Sequence, residues 1–159
     1  MGNEIERKFL IKPELIMPDI SVIIQAARGR FDIKEHYFNE TARLRFMNDR
    51  AFITVKSSGT IKRQEYEYEV MPNFYTPMPL MCKTRYMIPH LNHIFELNIF
   101  SQIKKGDKPL CLVEVELEDE NEEIKFPFWV GEEVTEDKQY YGYNLFKQVK
   151  NDYKLGLIK

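Results

Sequence analysis

The sequence predicts a mainly β fold of the α+β class: an eight-stranded antiparallel β-barrel, closed or nearly so, with flanking helices that include one at the C-terminus. Three observations predict it. Side-chain character alternates with a period of two along most of the 159 residues, the mark of strands with two unlike faces. Gly, Asn, Asp and Pro clusters break the alternation at intervals suited to hairpins. One convincing 3.6-residue apolar stripe lies near the C-terminus. A small domain with about eight such strands leaves no sheet edge exposed if it closes on itself.

The first strand covers about residues 3–11. Pro13 ends it, and Glu14-Leu15-Ile16 follows as a short helix. Strands are then expected near 32–38, 42–47, 51–57, 62–71, 83–89, 93–100 and 111–118. Asn48-Asp49, Ser57-Ser58-Gly59 and Lys105-Gly106-Asp107 before Pro109 supply turns between them. Pro72, Pro77 and Pro79 make residues 71–82 irregular. The final helix spans about 143–152, where Leu145, Phe146 and Val149 share a face. No linker, repeat or low-complexity segment divides the chain, so residues 1–159 are read as one domain.

Composition narrows the function classes. The net charge of −2 gives no electrostatic case for nucleic acid or an anionic membrane. No apolar run approaches the ~20 residues of a membrane-spanning helix. Cys82 and Cys111 are too few for a disulfide framework and read as reduced core residues. These features fit a soluble cytoplasmic protein, with monomer and homodimer both open. His90 and His93, three apart with no matching Cys or His pair, read as loop or strand-edge histidines rather than metal ligands, His36 as structural, and Trp129 as a core or rim aromatic.

The chemistry lies in charges two residues apart, which a strand places on one face. Glu4, Glu6 and Lys8 open the series. Arg43 and Arg45, Thr54 and Lys56, Arg63 with Glu65, Glu67 and Glu69, Lys83 and Arg85, and Glu114 with Glu116 and Glu118 continue it. Same-face neighbours lie roughly 7 Å apart, and within several strands they have like sign, so they repel unless a ligand neutralises them. A solvated sheet face usually mixes signs. The opposite faces carry bulk: Tyr66, Tyr68 and Val70 accompany the glutamates of one strand, and Leu112, Val113, Val115 and Leu117 flank the later pair, suited to packing under helices, which turns the charges inward. Clustered arginines grip phosphate oxygens, and clustered carboxylates bind Mg²⁺ or Mn²⁺. Both on one barrel lining make a metal-polyphosphate site, in which like charges are expected to strain the empty lumen.

These residues resemble, in order along the chain, the signature of the CYTH superfamily, the triphosphate tunnel metalloenzymes. Glu4-x-Glu6-x-Lys8 is similar to its ExExK strand, Arg43-Leu44-Arg45 to its RxR strand and Thr54-Val55-Lys56 to its lysine strand. Arg63-Gln64-Glu65-Tyr66-Glu67 resembles RxExE, Lys83-Thr84-Arg85-Tyr86 resembles KxRY, and Glu114-Val115-Glu116 resembles the late ExE. Glu133-Val134-Thr135 with Asp137-Lys138 is similar to the closing EVT-x-D-K segment.

The resemblance implies an eight-stranded tunnel that hydrolyses or cyclises small triphosphates with Mg²⁺ or Mn²⁺. By it, Lys8, Arg43, Arg45, Lys56, Arg63, Lys83, Arg85 and Lys138 hold the triphosphate. Glu4, Glu6, Glu65, Glu67, Glu114 and Glu116 hold or assist metal. Glu4, Glu6, Lys8, Lys83 and Arg85 are the catalytic group. Hydrolysis of inorganic triphosphate or a small organic triphosphate is the first expectation; a class IV adenylyl cyclase and a non-catalytic polyphosphate-binding module are the alternatives. Two departures stand out. Asn98, in Phe95-Glu96-Leu97-Asn98, occupies a place where the family often has Asp, and the prolines of 71–82 replace a helix that many relatives carry.

Overall fold

The computed structural model describes residues 2–15, 20–73 and 76–159. Nine strands form one antiparallel sheet among them: β1 (Gly2–Ile11), β2 (Gly29–Tyr37), β3 (Ala42–Met47), β4 (Arg50–Lys56), β5 (Lys62–Val70), β6 (Met81–His90), β7 (His93–Lys105), β8 (Lys108–Glu116) and β9 (Val130–Glu133). Their order is β5-β4-β3-β2-β6-β7-β8-β1-β9, and a further β5–β1 pairing closes eight of them into a barrel. The expected strands are all present. β2 begins at Gly29 and β6 at Met81, both earlier than the alternation suggested, because each needs length to pair with the other from Gly29↔Met87 to Glu35↔Met81.

β1 is the seam. Residues 2–5 pair with β5, residues 6–10 with β8, and β9 takes over beside Phe9 and Ile11 where β5 leaves off. Gly131 permits that last approach, since a Cβ there would lie 3.2 Å from the backbone of Leu10, Ile11 and Lys12. Arg7 on the outer face clamps β9 through two bonds to Glu133, at 2.6 and 2.8 Å.

Two apolar clusters fix the barrel. Outside it, Ile5, Phe9, Phe95, Leu97, Val113, Val115 and Trp129 pack with Ile20 and Ile23 of α1 (Ile20–Gln25). The sequence reading did not anticipate α1, which is short and carries two buried residues. The second cluster joins Leu10, Met81, Phe100 and Leu112 to Leu145, Phe146 and Val149 of α2 (Gly142–Lys154). Those four strand residues share parity with Lys8, Lys83, Asn98 and Glu114, so they belong to the inner face. The lumen is therefore charged along most of its depth and has an apolar floor sealed by α2.

Pro13–Leu15 forms a single 3-10 turn, as the short-helix expectation required, and Ile16 lies outside the described residues. In the proline segment, Phe74 and Tyr75 lie outside them too; the described part of 71–80 carries no helix, although Met81 and Cys82 already belong to β6. Cys111 is buried and its thiol is pushed up to about 12 by burial, as a core cysteine; Cys82 is only half-buried. Trp129 is a core residue, and His36 packs on Phe38 and Phe146. Among the described residues, no helix is long and apolar enough to cross a membrane.

Candidate active site

A cavity of about 550 Å³ occupies the lumen. Glu4, Glu6, Lys8, Arg43, Arg45, Lys56, Arg63, Glu65, Glu67, Lys83, Arg85, Glu114, Glu116 and Lys138 all line it, so every site residue read from the sequence reaches one space. Glu69 does not; it pairs with Arg50 in the open, and Glu118 lies beyond the end of β8 in an exposed turn. A larger hollow of about 740 Å³ lies on the outer side, lined by parts of β2, β3 and β6 and the segment before β6. Its lining gathers no comparable set of charges, so the chemistry belongs to the lumen.

The strands arrange the lumen charges in three neighbourhoods. At the seam, β1, β4 and β5 bring Glu4 against Lys56, whose Nζ donates to both carboxylate oxygens at 2.9 and 2.8 Å. Arg63 Nη2 reaches Glu4 at 3.3 Å and Lys56 reaches Glu65 at 3.0 Å. Glu67 accepts from the Thr54 hydroxyl at 3.1 Å. Glu116 stands at the mouth, and its carboxyl is raised by burial and by the charges of Glu4 and Glu65.

On the opposite wall, Glu35 of β2 is fully buried within a cationic group. Its Oε1 lies 2.8 Å from Arg45 Nε, 3.4 Å from Lys83 Nζ and 3.6 Å from Arg43 Nη1. Burial alone would raise this carboxyl; Lys83, Arg43 and Arg45 outweigh it and hold the group well below the usual carboxylate range. Lys83 falls to about 7, because burial penalises its ammonium and the nearby Arg85 and Arg45 add to that, against the pull of Glu35. Arg43 Nη1 also donates to the Tyr37 hydroxyl at 3.2 Å. That hydroxyl abuts Gly142 at the start of α2, where any Cβ would collide with it.

Between these neighbourhoods, Glu6, Glu96 and Glu114 converge. One carboxylate oxygen from each lies within 4.8 Å of the others, a hard three-oxygen donor set that suits a divalent cation. Burial raises Glu6 to about 8, and the adjoining Glu114 carboxylate adds to the shift. Burial would raise Glu114 as well, but Lys8, Arg85 and Lys83 hold it well below the usual range. In the metal-free protein Glu6 therefore keeps a proton beside an ionised Glu114. Arg85 faces the same group: Nη1 is 3.2 Å from Glu96, Nη2 is 3.5 Å from Glu114, and Nε donates to Asn98 Oδ1 at 2.8 Å. Asn98, fully buried, donates in turn to Glu114 at 2.9 Å. Its neutral amide thus still orients the arginine while donating to a carboxylate, a bond that an ionised Asp lacks.

An inorganic triphosphatase from Acetivibrio thermocellus is 33% identical to this chain over 162 aligned positions, which cover 97% of each protein. Another, from Nitrosomonas europaea, is 37% identical over 148 positions, covering 87% of this chain and 93% of that protein. The chain belongs to the CYTH superfamily. The crystal structure of an inorganic triphosphatase superposes with a TM-score of 0.58 at 32% identity, covering 91% of this chain and 95% of that one. A Pyrococcus horikoshii protein at 22% identity and a TM-score of 0.52, covering 74% of this chain and 80% of that one, shares the fold. No family model matches the chain.

Within this CYTH barrel, two findings revise the sequence reading. Many lumen cations meet a carboxylate on another strand, as in Lys56–Glu4, Arg45–Glu35 and Arg85–Glu96, so the cationic part of the empty lumen is largely paired, while like charge stays crowded where Glu6, Glu96 and Glu114 converge. Glu35 and Glu96 were missed as site residues. Glu96 lay within a quoted stretch and shares a face with Asn98. Glu35 shares its face with Ile33 and Tyr37, so no second charge two residues away marked it.

Proposed function

We propose that the chain hydrolyses inorganic triphosphate with a divalent cation, Mg²⁺ or Mn²⁺, held by Glu6, Glu96 and Glu114. The observation that supports this best is their juxtaposition with Lys8, Lys83 and Arg85 inside one lumen, in a chain about one-third identical to proteins named inorganic triphosphatase. A pure anion binder gains nothing from three converging carboxylates beside its cations.

Phosphoryl transfer asks a protein mainly for orientation and charge stabilisation. Arg43, Arg45 and Lys83 receive the phosphate oxygens at one wall, with Lys8 and Arg85 nearer the carboxylate group. A bound divalent cation supplies further neutralisation and a water of lowered pKa. Arg85 is held in place by Asn98, so its guanidinium meets charge that develops on the transferring group without first reorganising. An incoming anion counters the burial penalty at Lys83 and draws a proton onto its amine. Glu4 holds Lys56 and Arg63 at the seam. Glu65 and Glu67 line the same cavity, held by Lys56 and the Thr54 hydroxyl. Lys138, in the turn that leads into α2, adds attraction for the anion.

The test is phosphate release from inorganic triphosphate, pyrophosphate, ATP and thiamine triphosphate, each with Mg²⁺ and with Mn²⁺. Inorganic triphosphate is expected to turn over fastest, and excess chelator to stop the reaction. Faster turnover of ATP, or undiminished turnover in chelator, would overturn the reading.

A further inference from the structure

Glu35 stands out among the lumen residues because a carboxylate in a wall meant to grip an anion works against binding. It is fully buried, on a strand whose neighbours on both sides contribute the cations. The register puts it directly opposite Arg45 on β3 and opposite Met81 on β6, two residues from Lys83. Three cations from two strands meet its single oxygen Oε1. The other oxygen, Oε2, is buried without a hydrogen-bond partner among the described residues. A burial this costly gives poor value as simple stabilisation, since apolar side chains of similar size commonly serve as well.

We propose that Glu35 is a positioning residue: a fixed counter-charge that holds Arg43, Arg45 and Lys83 in one arrangement before the triphosphate arrives, at the expense of affinity. The proposal rests on the triphosphatase reading for the identity of the anion. Long cationic side chains without an anchor repel one another and spread over many rotamers, which the substrate must then reorder. Glu35 accepts a hydrogen bond from Nε of Arg45 and stands 3.6 Å from Nη1 of Arg43, which restrains both guanidinium groups while both residues line the cavity. Tyr37, two residues along the same face, secures Arg43 from the other side. The group of four side chains carries one negative charge, two positive charges on the arginines, and a third when the Lys83 amine is protonated. Removing the negative charge strengthens attraction for an anion while releasing the geometry.

Glu35→Gln tests this, because the amide keeps the shape and one acceptor but loses the charge. Binding of inorganic triphosphate is measured with Ca²⁺ in place of Mg²⁺ to limit turnover, and kcat and KM are measured with Mg²⁺. Glu35→Gln is expected to lower Kd about threefold to tenfold, the effect of one charge screened by lumen water, and to lower kcat at least about tenfold. Glu35→Asp keeps the charge but withdraws it by one methylene. Its affinity is expected to stay within about twofold of the parent while kcat still falls. A residue with a merely structural role loosens the wall and raises Kd. Unchanged or weaker affinity in Glu35→Gln, or parental kcat in both variants, overturns the proposal. If Glu35→Gln does not fold, Glu35→Asp decides: lost kcat with parental affinity supports the proposal, and any other result overturns it. A parent that neither binds nor cleaves triphosphate overturns the functional reading and this proposal together; a competent parent matched by Glu35→Gln overturns the proposal alone.

Discussion

Glu6→Gln isolates the energetic consequence of the proton held beside Glu114. In the unfolded chain this carboxyl titrates near 4.5, and in the metal-free fold it titrates at about 8. Between those values the folded state holds a proton that the unfolded state has released. Stability from this group is therefore complete below about pH 4.5 and is lost as pH rises through 8. A full separation changes stability by about 1.4 kcal/mol per pH unit, so the interval from pH 6 to pH 8 sets a ceiling of about 3 kcal/mol. The Glu6 side chain keeps 12% exposure beside a water-accessible cavity, and the pair can move apart when both ionise, so about half that is expected. For a chain of this length about 1.5 kcal/mol corresponds to a Tm change of about 3–6 °C. The assay is thermal melting in chelator at pH 6 and pH 9 for the parent and Glu6→Gln. The parent should lose about 3–6 °C more than the variant, and Mg²⁺ should return much of that loss to the parent at pH 9. Identical pH dependence in the two proteins would refute the shared-proton account.

Three further outcomes are expected. Triphosphate binding to protein already saturated with Ca²⁺, whose Glu6 proton has left, should take up protons at pH 8, because the anion restores the charge on Lys83, which burial lowers to about 7; affinity then falls from pH 7 to pH 9, calorimetry in buffers of different ionisation enthalpy reports the uptake, and Lys83→Met should abolish it. Arg7→Ala breaks the Arg7–Glu133 clamp on the outer face and should lower stability by at most about 1 kcal/mol, with kcat within about twofold of the parent by steady-state assay. Gly142→Ala drives a methyl into the Tyr37 hydroxyl that holds Arg43, and should cost about 1–3 kcal/mol in a thermal melt together with a raised KM, whereas parental values of both would show that α2 and the arginine wall are uncoupled.

The alternation of residues along β1, β3, β4, β5, β6 and β8 was enough to place their charged faces inside a barrel, because a period of two is a local property. What the alternation lacks is register. Glu4 became a partner of Lys56 and Arg63 only when β1 met β5 at Gly2↔Glu65, a pairing between distant segments. Glu35 became a site residue only through its place opposite Arg45. Within its own strand the flanking Ile33 and Tyr37 concealed it. β9 has four residues and α1 has six, too few for a period to show. Asn98 was visible as a departure from a family pattern, but its bond to Glu114 depends on the β7–β8 pairing Asn98↔Leu112, which brings Glu114 alongside.

The seam strand has a consequence for how the molecule is made. β1 is synthesised first, yet two of its three partners, β8 and β9, are among the last strands to leave the ribosome. Its residues must wait, unpaired on that side, through the synthesis of nearly the whole sheet, and closure then brings together segments more than 100 positions apart, such as Arg7 and Glu133. The same closing step carries Glu6 and Lys8 to Glu114. Barrel closure and assembly of the carboxylate group are thus one event, late and slow, and a chain that has not closed has no site.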